Sequence, residues 1–120
     1  RLNDQSFKTK VFLAPEILSG GENTTSSDIY SFAMIVYSII TGEIPFENEL
    51  NQENLFEKIK NGHRPNINTK IPQSCQQLIE CCWSQDPSAR PNIDTILNEL
   101  KNDDDFITAE IDTTEFELYI

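Results

Sequence analysis

The sequence predicts an all-α chain packed around one central helix. Three observations carry this expectation. Ile29 to Thr41 contains no charged residue, as in a helix buried on every side. Later segments place apolar residues at helical spacing and are bounded by Gly or Pro. No segment shows a convincing alternation of polar and apolar residues, the mark of a half-buried strand, and no internal repeat is visible.

The elements follow in order. Residues 1–13 lack helical periodicity and, apart from Leu2, are polar up to Ser6; an extended loop is expected. Ala14 to Leu18, "APEIL", suits a short helix, with Pro15 in the first turn and Glu16 at the positive end of the helix dipole. Ser19 to Ser27 is a flexible loop broken by Gly20-Gly21. The central helix is expected over about 28–41. Ser27 or Ser26 would cap it, Asp28 would sit at its positive end, and Gly42 would stop it. Ile29, Phe32, Ala33, Val36 and Ile40 form one apolar stripe, while Tyr30, Met34, Ile35, Tyr37 and Ile39 cover the other sides. Such a helix should be surrounded by the rest of the chain.

A turn at Gly42 to Pro45 leads to Phe46, an aromatic anchor ahead of a polar, acidic loop. "QENLFEKIKNG" reads as a surface helix, with Leu55, Phe56 and Ile59 inward and Gly62 as its stop. After the Pro-bounded loop "HRPNINTKIP" comes a third helix, "QSCQQLIECCW", with Leu78, Ile79 and Cys82 on one face. "SQDPSARP" is a loop. Pro91 then opens a fourth helix in which Ile93, Ile96, Leu97 and Leu100 follow the i, i+3, i+4, i+7 pattern.

Charge divides the chain. Residues 1–102 hold nine Lys/Arg and thirteen Asp/Glu (9 − 13 = −4), whereas 103–120 hold seven acids and no base, which together give the net −11. Phosphate backbones are repelled by such a surface, so nucleic acid is not an expected partner, and there is no basic amphipathic stretch for an anionic membrane. The tail carries Phe106, Ile107, Ile111, Phe116, Leu118 and Tyr119 among its acids. It is expected to be a solvated terminus, or else a short segment that docks a partner. Cys75, Cys81 and Cys82 have no metal-ligand spacing with His63, and no metal site is expected. Reduced cysteines suit a cytoplasmic chain, taken as a default because a targeting segment upstream would be invisible here. The longest apolar run, Ile29 to Ile40, is too short to span a bilayer. The chain opens on Arg1 and its only methionine is Met34, so a fragment is expected.

Four pieces then stand in a telling order: "APE" at Ala14-Pro15-Glu16, "SSDIYSFA" from Ser26, "TGEIPF" from Thr41 and "CWSQDPSARP" from Cys82. Together they resemble the C-terminal lobe of a eukaryotic protein kinase, and are most similar to the tyrosine-kinase-like branch of serine/threonine kinases. The resemblance covers roughly residues 5–101. It implies that 1–13 end the activation segment, that 14–102 form the helical lobe and that 103–120 are an acidic tail. It implies that Glu16 pairs with a buried Arg90, that Asp28 holds the catalytic-loop backbone, and that Trp83 is a core aromatic. Thr9, Val11, Phe12 and Leu13 would form the substrate-side loop. Thr9 stands where serine/threonine kinases carry threonine and tyrosine kinases carry proline. Lys8 replaces the family's usual Gly, and Lys tolerates positive φ poorly, which bears on the loop's conformation. Ser6 and Thr9 are candidate phosphorylation sites.

The same resemblance implies that the parent protein uses ATP and Mg²⁺ to phosphorylate Ser/Thr of protein substrates. The family's Gly-rich loop, strand lysine, catalytic Asp and Asn, and DFG aspartate have no counterparts in these 120 residues. They are expected upstream, in a missing N-terminal kinase half that this chain would need as a partner. Alone, the chain is expected to bind no nucleotide and to be inactive. The alternative is a non-catalytic, pseudokinase-type interaction module.

Overall fold

The computed structural model describes residues 8–67 and 71–102. The expectations for Ser6, for most of the segment before Thr9 and for the acidic tail lie outside the described residues. Among the described residues, the helical residues 8–10 are followed by α1 (Pro15–Leu18), α2 (Thr25–Thr41), α3 (Leu55–Lys60), α4 (Gln73–Cys82) and α5 (Ile93–Asn102). Single 3₁₀ turns stand at Glu47–Glu49 and Pro87–Ala89. No strand forms among the described residues. The all-α class read from the sequence is the fold observed.

The central helix is the axis of the packing. It contributes Ile29, Tyr30, Phe32, Ala33, Met34, Val36 and Tyr37 to the core. α4 lies along it, and the Pro87–Ala89 turn packs on it as well, while α1 packs on α3. α4 turns Cys75, Leu78, Ile79 and Cys82 inward, α3 turns in Leu55 and Ile59, and α5 turns in Ile96 and Leu100. Each such aliphatic side chain stabilises the fold by about 1.5–3 kcal/mol relative to an exposed position.

Four sequence expectations need correction. Residues 8–10 are helical rather than extended, and the following residues are held in turns: Phe12 N–H donates to Thr9 O at 3.2 Å and Leu13 N–H to Lys10 O at 3.0 Å. These local bonds satisfy backbone groups that an extended path would leave to solvent. The central helix starts at Thr25, a turn earlier than expected, and its cap is Thr24 rather than Ser26 or Ser27. Thr24 Oγ1 accepts from Ser27 N–H at 3.1 Å. In return Ser27 Oγ accepts from Thr24 N–H at 2.7 Å. This reciprocal box satisfies two orphan amides and outweighs the poor helix propensity of Thr25-Ser26-Ser27. α5 begins at Ile93 rather than Pro91, because Asn92 Oδ1 accepts from Thr95 N–H at 2.8 Å and so acts as the cap.

The fourth correction bears on function. The central helix is not buried all round: Ile39 is 40% exposed, and Ile35 and Ile40 are half-buried. The C-terminal stop is as read, since Gly42 adopts φ 72° and its N–H bonds Ser38 O at 2.9 Å.

Candidate functional site

The segment ahead of α1 is built as a rim. Lys8 and Thr9 are exposed, Val11 is fully buried, and Phe12 and Leu13 are half-buried. Val11 therefore sinks the segment into the core while Thr9 remains at its outer edge. Ser31 Oγ, on α2, donates to Phe12 O at 2.7 Å and fixes the rim to the central helix. Lys8 stands where the resemblance expects Gly, yet its backbone is helical, and Phe46 is the non-glycine residue with positive φ among the described residues. No left-handed conformation is demanded of Lys8.

Directly behind the rim the structure brings together Glu16 and Arg90, 74 positions apart. Arg90 Nη1 donates to Glu16 Oε2 at 2.7 Å and Nη2 donates to Oε1 at 3.0 Å. This is the bidentate fork that a planar guanidinium offers a carboxylate. Nη1 also donates to Ser26 O at 2.9 Å and Nε to Ser84 O at 3.0 Å. One side chain thus joins α1, the start of α2 and the loop after α4. The Arg90 side chain has 0% exposure and that of Glu16 has 27%. Burial alone would raise the Glu16 carboxyl, but the Arg90 hydrogen bonds, a bond to its own backbone and the nearby positive charges outweigh it and hold it below its ordinary value.

A second arginine, absent from the sequence reading, completes this anchor. Arg64 donates through Nε to Trp83 O at 2.8 Å, through Nη1 to His63 O at 2.8 Å and Ile59 O at 3.1 Å, and through Nη2 to Gln85 Oε1 at 2.9 Å. Its guanidinium lies 5.0 Å from the Tyr30 ring centroid, and that of Arg90 lies 5.2 Å from the same ring. Tyr30 therefore joins two cations that would otherwise repel, through its π-face. The Tyr30 hydroxyl is buried without a hydrogen-bond partner among the described residues, and burial first of all pushes its pKa up to about 12. In the sequence Arg64 is one of two charges, with Lys70, in a polar, Pro-bounded loop; only its place just before Pro65, in a segment otherwise free of charge from Asn61 to Thr69, sets it apart.

Trp83 is 5% exposed and its ring sits 6.1 Å from that of Tyr37, tilted by 49°. Asp28 behaves differently from the anchor residues. It is exposed, and its carboxylate has no side-chain hydrogen bond or ion pair among the described residues. It stands beside a groove lined by Ile29, Ser31, Phe32, Ile35 and Ile93. The described residues do not bring it to Glu16, Arg90 or Trp83; it faces outward from the same helix.

A helical lobe around an uncharged core helix, with a rim riveted ahead of it by a long-range Glu–Arg pair, is the lower part of a kinase domain. The chain belongs to the protein tyrosine and serine/threonine kinase family, whose model matches residues 3–100. It is 41% identical over 93 residues to "Probable serine/threonine-protein kinase roco7" of Dictyostelium discoideum, covering 74% of this chain and 4% of that protein. It is 39% identical over 88 residues to "Dual specificity protein kinase pyk3" of the same organism, covering 73% of this chain and 7% of that protein. Among solved structures, a chain of the AtMLKL3 tetramer superposes with a TM-score of 0.74 at 30% identity, covering 82% of this chain and 18% of that one. The chain thus spans only a small part of each relative, and corresponds to part of a kinase domain.

Kinases of this family use ATP and Mg²⁺. The described residues do not fit that pair. No group of three or more His, Cys, Asp or Glu among them is placed to hold a metal ion. The Gly20-Gly21 step is no phosphate cradle either, because the Gly21 N–H is already given to Glu16 O at 2.8 Å.

Proposed function

We propose that this chain is the substrate-side rim and helical scaffold of a larger protein kinase that transfers the γ-phosphoryl group of ATP to hydroxyls of protein substrates, chiefly Ser and Thr. The observation that carries the reading is the rim itself. Thr9 is exposed at the edge of a segment held to the central helix through Phe12 and Ser31 and backed by the Glu16–Arg90 pair. Phosphoryl transfer rests on positioning, so a rigid rim that presents an acceptor peptide is a functional part in itself. Val11, Phe12 and Leu13 shape that rim, with residues 1–13 as the end of the activation segment, 14–102 as the lobe and 103–120 as an acidic tail. The relatives named as serine/threonine and dual-specificity kinases support Ser/Thr as the acceptor class.

Nucleotide and metal would be held by a separate, N-terminal half of the domain. The open face of α2, with Asp28 beside Phe32 and Ile35 and with Ile39 40% exposed, is where that half would dock. An apolar face left open around an unpaired carboxylate is what a missing partner element would leave behind. No helix among the described residues is long and apolar enough to cross a membrane; a cytoplasmic location for the parent enzyme is proposed on its reduced cysteines.

The test is phosphoryl transfer by the full-length protein from radiolabelled ATP to a mixed protein substrate, followed by phosphoamino-acid analysis. Phosphoserine and phosphothreonine are expected. Phosphotyrosine alone would overturn the acceptor class, and absence of transfer would favour a non-catalytic interaction module.

A further inference from the structure

Among the described Lys and Arg residues, most are already engaged. Lys58 donates to Gln52, Lys60 pairs with Glu57, Arg64 bonds carbonyls and Gln85, Arg90 pairs with Glu16, and Lys101 also has an interaction. Two are not. Lys8 and Lys10 show no hydrogen bond or ion pair among the described residues, and in sequence they flank Thr9 of the rim. Lys8 is exposed and Lys10 half-buried. This pairing of free cations is unusual in a chain of net charge −11, where acids outnumber bases by twenty to nine.

We infer that Lys8 and Lys10 select substrates carrying an anionic residue within two or three positions of the acceptor hydroxyl. The inference rests on the reading of residues 9–13 as the substrate-side rim. The physical case is charge complementarity. An acceptor peptide lying along Thr9 would run beside the exposed Lys8, with Lys10 two positions further on, neither of them paired among the described residues. A carboxylate or phosphate there gains Coulombic attraction, while a lysine or arginine meets like charge. The chain is acidic overall, so a cationic edge distinguishes this rim for an anionic peptide and helps set its register. Because Lys8 occupies a place where a glycine would bring no charge, the preference belongs to this chain's own residues.

Each exposed contact is modest, so a pair of them yields about a three- to tenfold preference in kcat/KM, which shrinks as salt rises. The test uses the full-length protein with matched Ser acceptor peptides that carry Glu, phosphoserine, Ala or Lys at the flanking positions, assayed at low and high salt. Anisotropy with the same peptides, fluorescently labelled, reads binding in parallel. Expected are Glu or phosphoserine over Ala over Lys, loss of that order at high salt, and its inversion in Lys8→Glu/Lys10→Glu. The Glu and phosphoserine arms distinguish an acidic from a pre-phosphorylated substrate. Phosphorylation without a preference, or with one that the charge-reversed variant leaves unmoved, overturns the inference while the kinase reading stands. Lysine-dependent binding of the anionic peptides without transfer supports the inference and overturns the kinase reading. Neither transfer nor charge-selective binding overturns both.

Discussion

Removing the Glu16 carboxylate should cost far more than removing an ordinary surface acid. The Arg90 side chain is fully buried and directs two of its four hydrogen bonds at Glu16. In Glu16→Ala the bonds to Ser26 O and Ser84 O remain, but a buried guanidinium loses its counter-charge. Two charge-assisted bonds are worth about 3–6 kcal/mol before water enters the vacated space. Glu16 retains 27% exposure, so water reaches its side of the pair and the expected cost is about 3 kcal/mol, the lower end for a broken buried pair. The Lys60–Glu57 pair is the internal control: at 33% and 69% exposure, Glu57→Ala should cost no more than about 0.5 kcal/mol. Urea unfolding followed by the fluorescence of Trp83, the chain's single tryptophan, measures both. Arg90→Met should cost at least as much as Glu16→Ala, since it also takes the donors from Ser26 O and Ser84 O, and the double variant should cost less than the sum of the two by at least about 1.5 kcal/mol. The pH dependence follows the same pair. The Glu16 carboxyl is held below its ordinary value of 4.5 in the folded chain. Its contribution is therefore present above the unfolded value and is lost as pH falls through the lower, folded value. Glu16→Gln should flatten that acid limb. Additive single variants, or a Glu16→Ala cost within the range of the Glu57 control, would refute the anchor as described.

Three further outcomes follow from the same packing. Gly21→Ala should destabilise by about 1–3 kcal/mol in the same unfolding assay, since a Cβ there would stand 2.8 Å from the Glu16 carbonyl oxygen, a backbone atom that cannot swing aside. Tyr30→Phe should be neutral or stabilising by up to about 1 kcal/mol, because the hydroxyl is buried with no partner among the described residues while the ring that faces both arginines is kept; a loss above 1 kcal/mol would reveal a partner for that hydroxyl. A thiol reagent at pH 7.5 should label Cys81 rapidly and leave Cys75 and Cys82 protected until unfolding, as Cys81 is exposed, the other two are buried, and burial pushes the Cys82 thiol up to about 12.

The parts of this fold that were legible are those written in local pattern. An uncharged run from Ile29 to Thr41 can hardly be anything but a core helix, and Gly42 marks its end in the sequence as in the structure. Its start was hidden because the reciprocal box at Thr24 and Ser27 uses a serine where the usual pattern carries Glu or Gln. The Pro91 start failed for a related reason: Asn92 is a better cap than Pro91 is a first residue. Periodicity says nothing of contacts across the chain. Glu16 and Arg90 were linked only through a resemblance, and Arg64, whose partners are mostly backbone carbonyls, leaves no pairing signal in sequence at all. The open flank at Ile35 and Ile39 was misread because an all-apolar helix announces that it is to be covered, not which element covers it.

The proposed kinase divides its labour, with this chain presenting the substrate and a separate half supplying nucleotide and metal. The most direct measurement compares γ-phosphoryl transfer to Ser/Thr acceptor peptides by the full-length protein and by residues 1–120 alone, with Mg²⁺ and ATP at saturation. Transfer is expected from the full-length protein and none from the isolated chain. Turnover of ATP by residues 1–120, or its absence in the full-length protein, would contradict that division of labour.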